Sequence, residues 1–441
     1  MPAASRLARL PFFYGWALVA IAFVTMAVGV NARTAFSLLF PAILDEFGWD
    51  RGVTAGAFSF GFLASAVITP TVGRLMDRRG PMPVIELGVA MMAAGLLLAT
   101  LVREPWQLYL TLGALVGGGV NCLAYTGQSL YLPNWFVRRR GLALSIAFSG
   151  VGIGSVTILP WFQSLILGAG WRTACAALGV LVLAVLAPIN LFVRRRPQDI
   201  GLEPDGGAAG DAAGRKGDNI VDRAWAETDW TLRRAVRTGR FWWIAIGYFC
   251  ALFSWYAVQV HQTKYLIDLG FRPALAAWAL GLVSLAAVPG QIALGHLSDR
   301  IGREWVWAIG NGGFVLCCLL LVLLGRMPSP VLLWLMVIAQ GTLGYGLTSV
   351  MGPIPAEIFE GKHYGSIFGT VMLSAIIGGA TGPFAAGLIH DVSGGYAPAF
   401  WISAALSAVS AGAIWRAAPR KVRVVAGRIP GVAVARNRRM G

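Results

Sequence analysis

One strongly basic residue, Arg33, stands inside the first long apolar stretch of the chain. A guanidinium stays charged and can bind a carboxylate through two parallel hydrogen bonds, so it suits anion binding. Asn31 and Thr34 add polar groups beside it. If this stretch crosses a membrane, the charge is costly there and indicates function. Two other interpretations stay open: the side chain extends to the outer membrane surface, or it pairs with Asp45 or Asp50.

A second polar group, Gln259, His261 and Lys264, interrupts another apolar stretch. A histidine there could bind a ligand or titrate near physiological pH, and it could equally be a hydrogen-bonded packing residue. Lys264 lies about one helical turn further along and could line an outer vestibule or extend to the membrane surface.

Two polar stripes lie in further apolar stretches. Asn121, Tyr125 and Gln128 are spaced to share one face of a helix. Gln340 and Tyr345 form a similar pair later in the chain. Such stripes can bind a ligand in a central cavity or join neighbouring helices, and both interpretations remain open.

The elements that carry these residues follow from the composition. Hydrophobic residues make up 57% of the 441 residues and charged residues only 13%, whereas soluble domains carry about 25% charged residues. This excludes a soluble enzyme, a disordered chain and a nucleic-acid-binding domain, despite a net charge of +16. Twelve apolar blocks are long enough to span a bilayer as helices. We number them spans one to twelve: 12–41, 53–73, 82–102, 106–132, 141–167, 172–193, 241–267, 274–297, 304–325, 330–356, 364–389 and 396–416.

The basic residues are distributed unequally between the two sides that these spans define. The side with the N-terminus, the central loop and the C-terminal tail holds 29 of the 36 Lys and Arg residues. The opposite side holds five, and Arg33 and Lys264 lie within spans. Because short basic loops stay in the cytoplasm, we predict that both termini are cytoplasmic. We expect a multi-pass protein of the bacterial inner (plasma) membrane.

An internal repeat divides the chain. The loop sequence 73–80 (GRLMDRRG) recurs as 295–302 (GHLSDRIG), each after the second span of its half. Two copies at matching positions indicate duplicated six-helix bundles. The predicted domains are the bundles 1–194 and 241–417, a cytoplasmic central loop 195–240 and a basic tail 418–441. Within the loop, Ala224–Arg240 could form an amphipathic helix on the inner leaflet or a solvated linker.

The repeated loop could act as a cytoplasmic latch. Its aspartate can pair with arginines of the same loop, and its glycines allow a tight turn. A loop that only fixes topology is the alternative. The residues that we assign to this conformational motif are Gly73, Asp77, Arg78, Gly80, Gly295, Asp299, Arg300 and Gly302.

These features resemble the major facilitator superfamily over the whole chain. Residues 135–144 (WFVRRRGLAL), followed by glycines at 150 and 152, look like the fifth-helix signature of the monocarboxylate transporter and oxalate-formate antiporter branch. In those carriers a cation in the outer part of span one contacts the substrate carboxylate, and Arg33 stands at the matching place. Residues 284–291 lack the arginine that those carriers use in span eight, so a simple lactate- or pyruvate-type substrate is not implied.

The sequence therefore predicts an all-α membrane protein that carries small organic anions, chiefly carboxylates, by alternating access. All 20 acidic residues fall in loops or near span ends, so we expect no acid at the depth of Arg33 or Lys264. Coupling would be proton symport or anion exchange, with protons and the lipid bilayer as partners, without nucleic acid and as a monomer. We expect no cofactor, no metal and no enzymatic activity. The alternatives are an exporter of a hydrophobic or drug-like compound and a non-transporting sensor or scaffold.

Overall fold

The computed structural model describes residues 13–136, 140–200, 202, 220–361 and 363–425. Side chains are not described at 70, 73, 74, 77, 126, 129, 130, 133 and 140–142. In the described part there is no extended strand, and β-structure is limited to isolated bridge positions at Phe136, Ile220 and Arg423. The predicted all-α class is confirmed.

Eleven helices within these ranges are long and apolar enough to cross a membrane. A helix that is apolar on every face satisfies its own backbone and is stable in lipid, which explains why the apolar blocks of the sequence become spans. The helices comprise Tyr14–Phe47, Arg51–Thr69, Pro81–Ala99, Ala143–Ala169, Trp171–Asn190, Gly239–Asp268, Pro273–Ile301, Arg303–Arg326, Pro330–Ile358, Tyr364–Ser393 and Ala397–Lys421.

Span four is helical but interrupted. It runs through Pro105–Leu108, a π-helix Tyr109–Val116, and the α-helices Gly117–Leu123 and Tyr125–Tyr131. Ala124 separates the last two because its extended backbone (φ −85°, ψ −160°) cannot continue a helix. Span four therefore lacks the continuous α-helix that the sequence predicts.

Span ten contains irregular turns near its polar residues, and span one has a minor interruption. Ala35 separates the helices Tyr14–Thr34 and Phe36–Phe47 but keeps right-handed helical backbone angles (φ −56°, ψ −19°). Span ten passes from an α-helix into a π-helix Ala339–Leu343 and then a 3-10 turn Gly344–Leu347. Irregular helical turns of this kind are frequent at functional sites.

The chain divides into two compact units. The first comprises Met1–Ala212 with Val260–Gly281, and the second comprises Ala213–Gln259 with Leu282–Gly441. The boundary thus crosses span seven and span eight as well as the central loop. The C-terminal part of span seven, from Val260 onward, groups with spans one to six, so Gln259 falls in the second unit and His261 and Lys264 fall in the first.

The end of the central loop folds onto the second unit. Two single-turn helices, Arg223–Ala226 and Leu232–Ala235, replace the continuous amphipathic helix that was one interpretation of this segment. The ring of Trp230 packs against Phe359, and the indole of Trp225 donates to the carbonyl of Ile358. These apolar groups are therefore covered by protein. Most of the central loop, 203–219, and the tail beyond 425 lie outside the described residues.

Candidate functional site

Arg33 occupies the last turn of the helix Tyr14–Thr34 and lies against two neighbouring aromatic rings. Its guanidinium carbon is 3.9 Å from the ring centroid of Phe62 and 4.9 Å from that of Phe58. Phe58 and Phe62 are one turn apart on span two, so both rings face the same side. Contacts of this kind hold a cation by the negative faces of the rings without neutralising its charge.

A small cavity lies beside Arg33. Spans one, two and four line it through apolar residues such as Phe36, Phe58 and Leu112. Arg33 is the one charged residue among the described residues that line it. A ligand here would meet a single positive charge on an otherwise apolar wall, which is a common design of small-molecule sites.

Close backbone contact builds the far wall of this cavity. Gly61 of span two and Gly117 of span four both line it, and a Cβ added to Gly117 would overlap the Cα of Gly61. Only glycine allows two helices to approach to this distance. The glycines therefore position the wall, as the small residues of the sequence predict.

Asn31 joins helices. Its amide Nδ2 donates to the carbonyls of Ala27, 2.7 Å away, and Val151, 3.0 Å away, so it ties span one to span five. It lies two residues before Arg33, and its amide donor is engaged by backbone carbonyls. Asn31 therefore joins two helices next to the candidate site.

The polar residues of span four do not form one stripe. Asn121 contacts Thr69 and the carbonyl of Ser65, whereas Gln128 accepts from the hydroxyl of Tyr131 at 2.6 Å. The exposed Tyr125 packs edge-on against Phe148. The prediction that 121, 125 and 128 share a face is wrong, because Ala124 interrupts the helix between the first and the second.

The polar residues of span seven lie in separate surroundings. Gln259 donates to the hydroxyl of Tyr345 at 3.3 Å, and the Tyr345 ring lies 3.9 Å from that of Trp255. His261 is fully buried with its ring edge-on to Phe40 at 5.0 Å. Gln259 and Tyr345 therefore lie together, whereas His261 lies in separate surroundings.

Lys264 belongs to an ion-pair cluster that we call the Lys264 cluster: Asp45, Arg51, Lys264 and Asp268. The Lys264 ammonium lies 3.0 Å from Asp45 and 3.3 Å from Asp268. Arg51 lies 2.8 Å from Asp268. The expectation that no acid lies at the depth of Lys264 is wrong, since Asp268 follows it by one helical turn and Asp45 of the helix Phe36–Phe47 lies alongside.

Ser37 of span one contacts span seven, which the sequence did not indicate. Its hydroxyl lies 2.9 Å from the hydroxyl of Thr263 and donates to the carbonyl of Val260. Pro41 lacks an N–H, so the carbonyl of Ser37 has no helical donor at that position. A serine one turn before a proline within a span is a signal that could have identified this irregular segment.

Gln340 is fully buried in the π-helical turn of span ten. Neither its Nε2 nor its Oε1 has a hydrogen-bond partner among the described residues. Tyr345 lies in the following 3-10 turn. The predicted pair thus combines one engaged residue and one buried amide whose polar atoms are unused.

The repeated loops have the turn glycines that were expected. Gly80 and Gly302 both adopt positive φ angles, 83° and 110°, and each precedes a new helix. Gly73 and Arg78 lie at the end of the helix Arg51–Arg79, and the side chain of Asp77 lies outside the described residues.

The second loop is held by an acid–base network. Asp299 pairs with Arg303 at 2.7 Å, and Arg303 also pairs with Glu357 at 2.9 Å and contacts Ser298. The arginine that Asp299 uses is therefore Arg303, and not Arg300, whose guanidinium contacts His296. Gly295 lies within the helix Pro273–Ile301.

The geometry defines a membrane protein with a cationic cavity, and comparison with known proteins identifies its class. The family model of the Major Facilitator Superfamily matches residues 17–272 and 244–437. The chain therefore belongs to this superfamily. It is a transporter, which confirms the expectation that it is not an enzyme.

Relatives place the chain near one branch of the superfamily. It is 26% identical to monocarboxylate transporter 13 of Bos taurus, over 91% of this chain and 88% of that one. It is 25% identical to monocarboxylate transporter 12 of Homo sapiens, over 88% of this chain and 77% of that one. An uncharacterised transporter of the superfamily from Bacillus subtilis, YcxA, is 23% identical over 86% and 90%. The predicted resemblance to monocarboxylate transporters is confirmed.

Solved structures show the same fold at low identity. A mutant form of the nucleoside transporter NupG has a TM-score of 0.70 at 15% identity and covers 92% of this chain and 99% of its own. A bacterial homologue of the human lysosomal transporter Spinster has a TM-score of 0.64 at 16% identity, with 97% and 96% covered. The two-bundle major facilitator fold is confirmed.

Proposed function

We propose that this transporter carries small organic anions, chiefly carboxylates, by alternating access. The observation that supports this most directly is Arg33, a permanent positive charge within span one that faces a small, otherwise apolar cavity. A guanidinium held by two aromatic rings keeps its charge and its orientation, and a guanidinium is well suited to bind a carboxylate. The names of the relatives, monocarboxylate transporters 12 and 13, favour the same substrate class.

Alternating access would use the two halves 1–194 and 241–417, joined by the central loop 195–240. The outer part of span seven, which groups here with spans one to six, would separate from them when the outer side opens. Both termini would lie in the cytoplasm of a bacterium, in its inner membrane, and the protein would act as a monomer.

Coupling would be proton symport or anion exchange. Arginine does not release its proton at physiological pH, so Arg33 cannot be the carrier of a cotransported proton. In the symport case the proton would move on His261, which is buried against Phe40, or on the carboxyl group of the substrate itself.

Uptake of labelled carboxylates into proteoliposomes tests the substrate class. Arg33→Gln should lower kcat/KM for every accepted carboxylate on the order of a hundred-fold, because a charged hydrogen-bond donor is lost. Arg326→Gln is the matched control, since Arg326 is exposed in the last turn of span nine. Full activity of Arg33→Gln would exclude the anion site.

The same vesicles separate the two coupling modes and the remaining alternatives. Uptake that needs an inward proton gradient indicates symport, whereas uptake that needs an internal anion indicates exchange. If His261→Gln abolishes only the response to the gradient, the histidine carries the proton. Efflux of a lipophilic compound without any carboxylate uptake would favour an exporter, and no flux at all would favour a sensor or scaffold.

A further inference from the structure

Three helix ends of the second unit carry tryptophans that lie next to one another and to an arginine. Trp243 lies near the start of span seven, Trp305 near the start of span nine, and Trp415 with Arg416 near the end of span twelve. The rings of Trp305 and Trp415 pack edge-on with their centroids 5.0 Å apart. The guanidinium carbon of Arg416 lies 5.1 Å from the ring centroid of Trp243. These contacts bring the three helix ends together.

We call Trp243, Trp305, Trp415 and Arg416 the tryptophan ledge. The ledge is open at the surface, since Arg416 is exposed and Trp305 is 46% exposed. It lies where three apolar spans begin or end, which is the level of the lipid headgroups. Indoles are favoured at this level because their rings are apolar and their N–H groups are polar. The ledge is therefore a surface that lipid can contact.

Arg416 adds a positive charge that the described residues do not neutralise. None of their carboxylates lies within 4 Å of its guanidinium. The nearby Arg420 differs, because the buried Glu304 lies 3.4 Å from its guanidinium and accepts from its backbone N–H. The ring of Trp243 orients the Arg416 guanidinium and leaves its charge in place. That charge can therefore bind an anion from outside the chain.

The first half of the chain lacks such a ledge. The two copies of the repeated loop begin at 73 and 295, so corresponding positions are 222 residues apart. Ile21, Pro83 and Val193 stand where the second half has its three tryptophans. An arginine is present there as Arg194, but its guanidinium donates to the carbonyls of Leu191 and Val193. The ledge is therefore a feature of the second half and does not follow from the repeat.

We propose that the tryptophan ledge binds the headgroup of an anionic phospholipid. A guanidinium can donate two parallel hydrogen bonds to a phosphate, and the indoles can pack against the apolar part of the same lipid. A zwitterionic headgroup brings its own cation, whereas an anionic headgroup balances the charge of Arg416. A lipid bound here would contact three helix ends and stabilise their packing. This inference does not depend on which substrate the transporter carries.

Thermal unfolding of the purified, delipidated protein in detergent tests the site. The protein is titrated with dioleoylphosphatidylglycerol, dioleoylphosphatidylcholine or inorganic phosphate. We expect phosphatidylglycerol to raise the unfolding temperature at about five-fold lower concentration than phosphatidylcholine, as one arginine at the membrane surface would give. Inorganic phosphate at the same concentrations should have little effect, because it lacks the apolar part that the indoles contact. Native mass spectrometry of the same samples should show retained phosphatidylglycerol.

Variants then assign the preference to the ledge. Arg416→Gln removes the charge and should abolish the preference for phosphatidylglycerol. Trp243→Leu removes the ring that orients the guanidinium and should reduce the same preference. Arg233→Gln is the matched control, because Arg233 is an exposed arginine of the same unit that lies outside the ledge. It should keep the full preference.

The outcomes decide between a lipid site and its alternatives. An equal response of the parent protein to the two lipids would overturn the proposal. Equal stabilisation by inorganic phosphate would overturn it in favour of a site for a soluble anion. A preference that Arg416→Gln keeps, or that Arg233→Gln loses to the same extent, would also overturn it. Loss in Arg416→Gln with retention in Arg233→Gln supports the site, and Trp243→Leu decides in the same way if Arg416→Gln does not fold.

Discussion

The ammonium of Lys264 lies 3.0 Å from the carboxylate of Asp45, although 219 residues separate them in the chain. Asp268 lies 3.3 Å from the same ammonium, so the charge of Lys264 is balanced within the Lys264 cluster. Lys264 is therefore a poor candidate for an anion site. The paired lysine joins the C-terminal end of span seven to span one.

The hydroxyl pair Ser37–Thr263 allows a direct test of alternating access. Because the two hydroxyls are 2.9 Å apart, Ser37→Cys with Thr263→Cys should form a disulfide on mild oxidation. We expect oxidation to stop uptake into proteoliposomes and a reductant to restore it. Each single variant is the control. A cross-linked protein that transports at the full rate would show that this contact need not open.

Arg303 should be essential for the stability of the second repeated loop. Its pair with Glu357 is largely buried, whereas Asp299 is exposed, and Arg303→Gln leaves the Glu357 carboxylate without its cation. We expect a loss of about 2–3 kcal/mol in the free energy of unfolding, measured by denaturation in detergent. Arg300→Gln in the same loop, whose guanidinium is exposed and contacts His296, should change it by less than about 0.5 kcal/mol. Equal effects of the two substitutions would refute this assignment.

The contact between Gly117 and Gly61 should tolerate no added carbon. Gly117→Ala places a methyl group against the backbone of span two, and such overpacking costs about 1–3 kcal/mol. Thermal unfolding in detergent would measure it. Gly168→Ala is the control because nothing lies within 4 Å of the added methyl group. A Gly117→Ala protein as stable as the parent would contradict the close helix contact.

Arg172 should stabilise the outer end of the first unit without acting on the substrate. It donates to Glu46 and to the carbonyls of Thr100 and Val102. The ion pair is partly exposed and contributes little, so the loss in Arg172→Gln, about 1–2 kcal/mol, comes mainly from the two backbone carbonyls. Transport per folded molecule should stay at the parental level. A specific loss of transport at unchanged stability would assign Arg172 to the site.

Local features of the chain predicted most of the fold. Long apolar blocks bounded by arginines locate the spans, because the hydrophobic effect acts on each segment separately. The glycines at 80 and 302 predicted turns, because only glycine takes those φ angles readily. The interruption at Ala124 was not predictable in this way, since neither glycine nor proline marks it.

The sequence by itself determined that this protein is a helical membrane transporter with a repeated loop and a positive charge in span one. Hydropathy and repeats are properties of neighbouring residues, so they need no knowledge of packing. Only the tertiary structure decided which polar side chains find partners. Asp45 neutralises Lys264, backbone carbonyls engage Asn31, and Gln340 keeps a buried amide without a partner among the described residues. The reason is that a partner depends on which helix faces meet, and those faces come from distant parts of the chain.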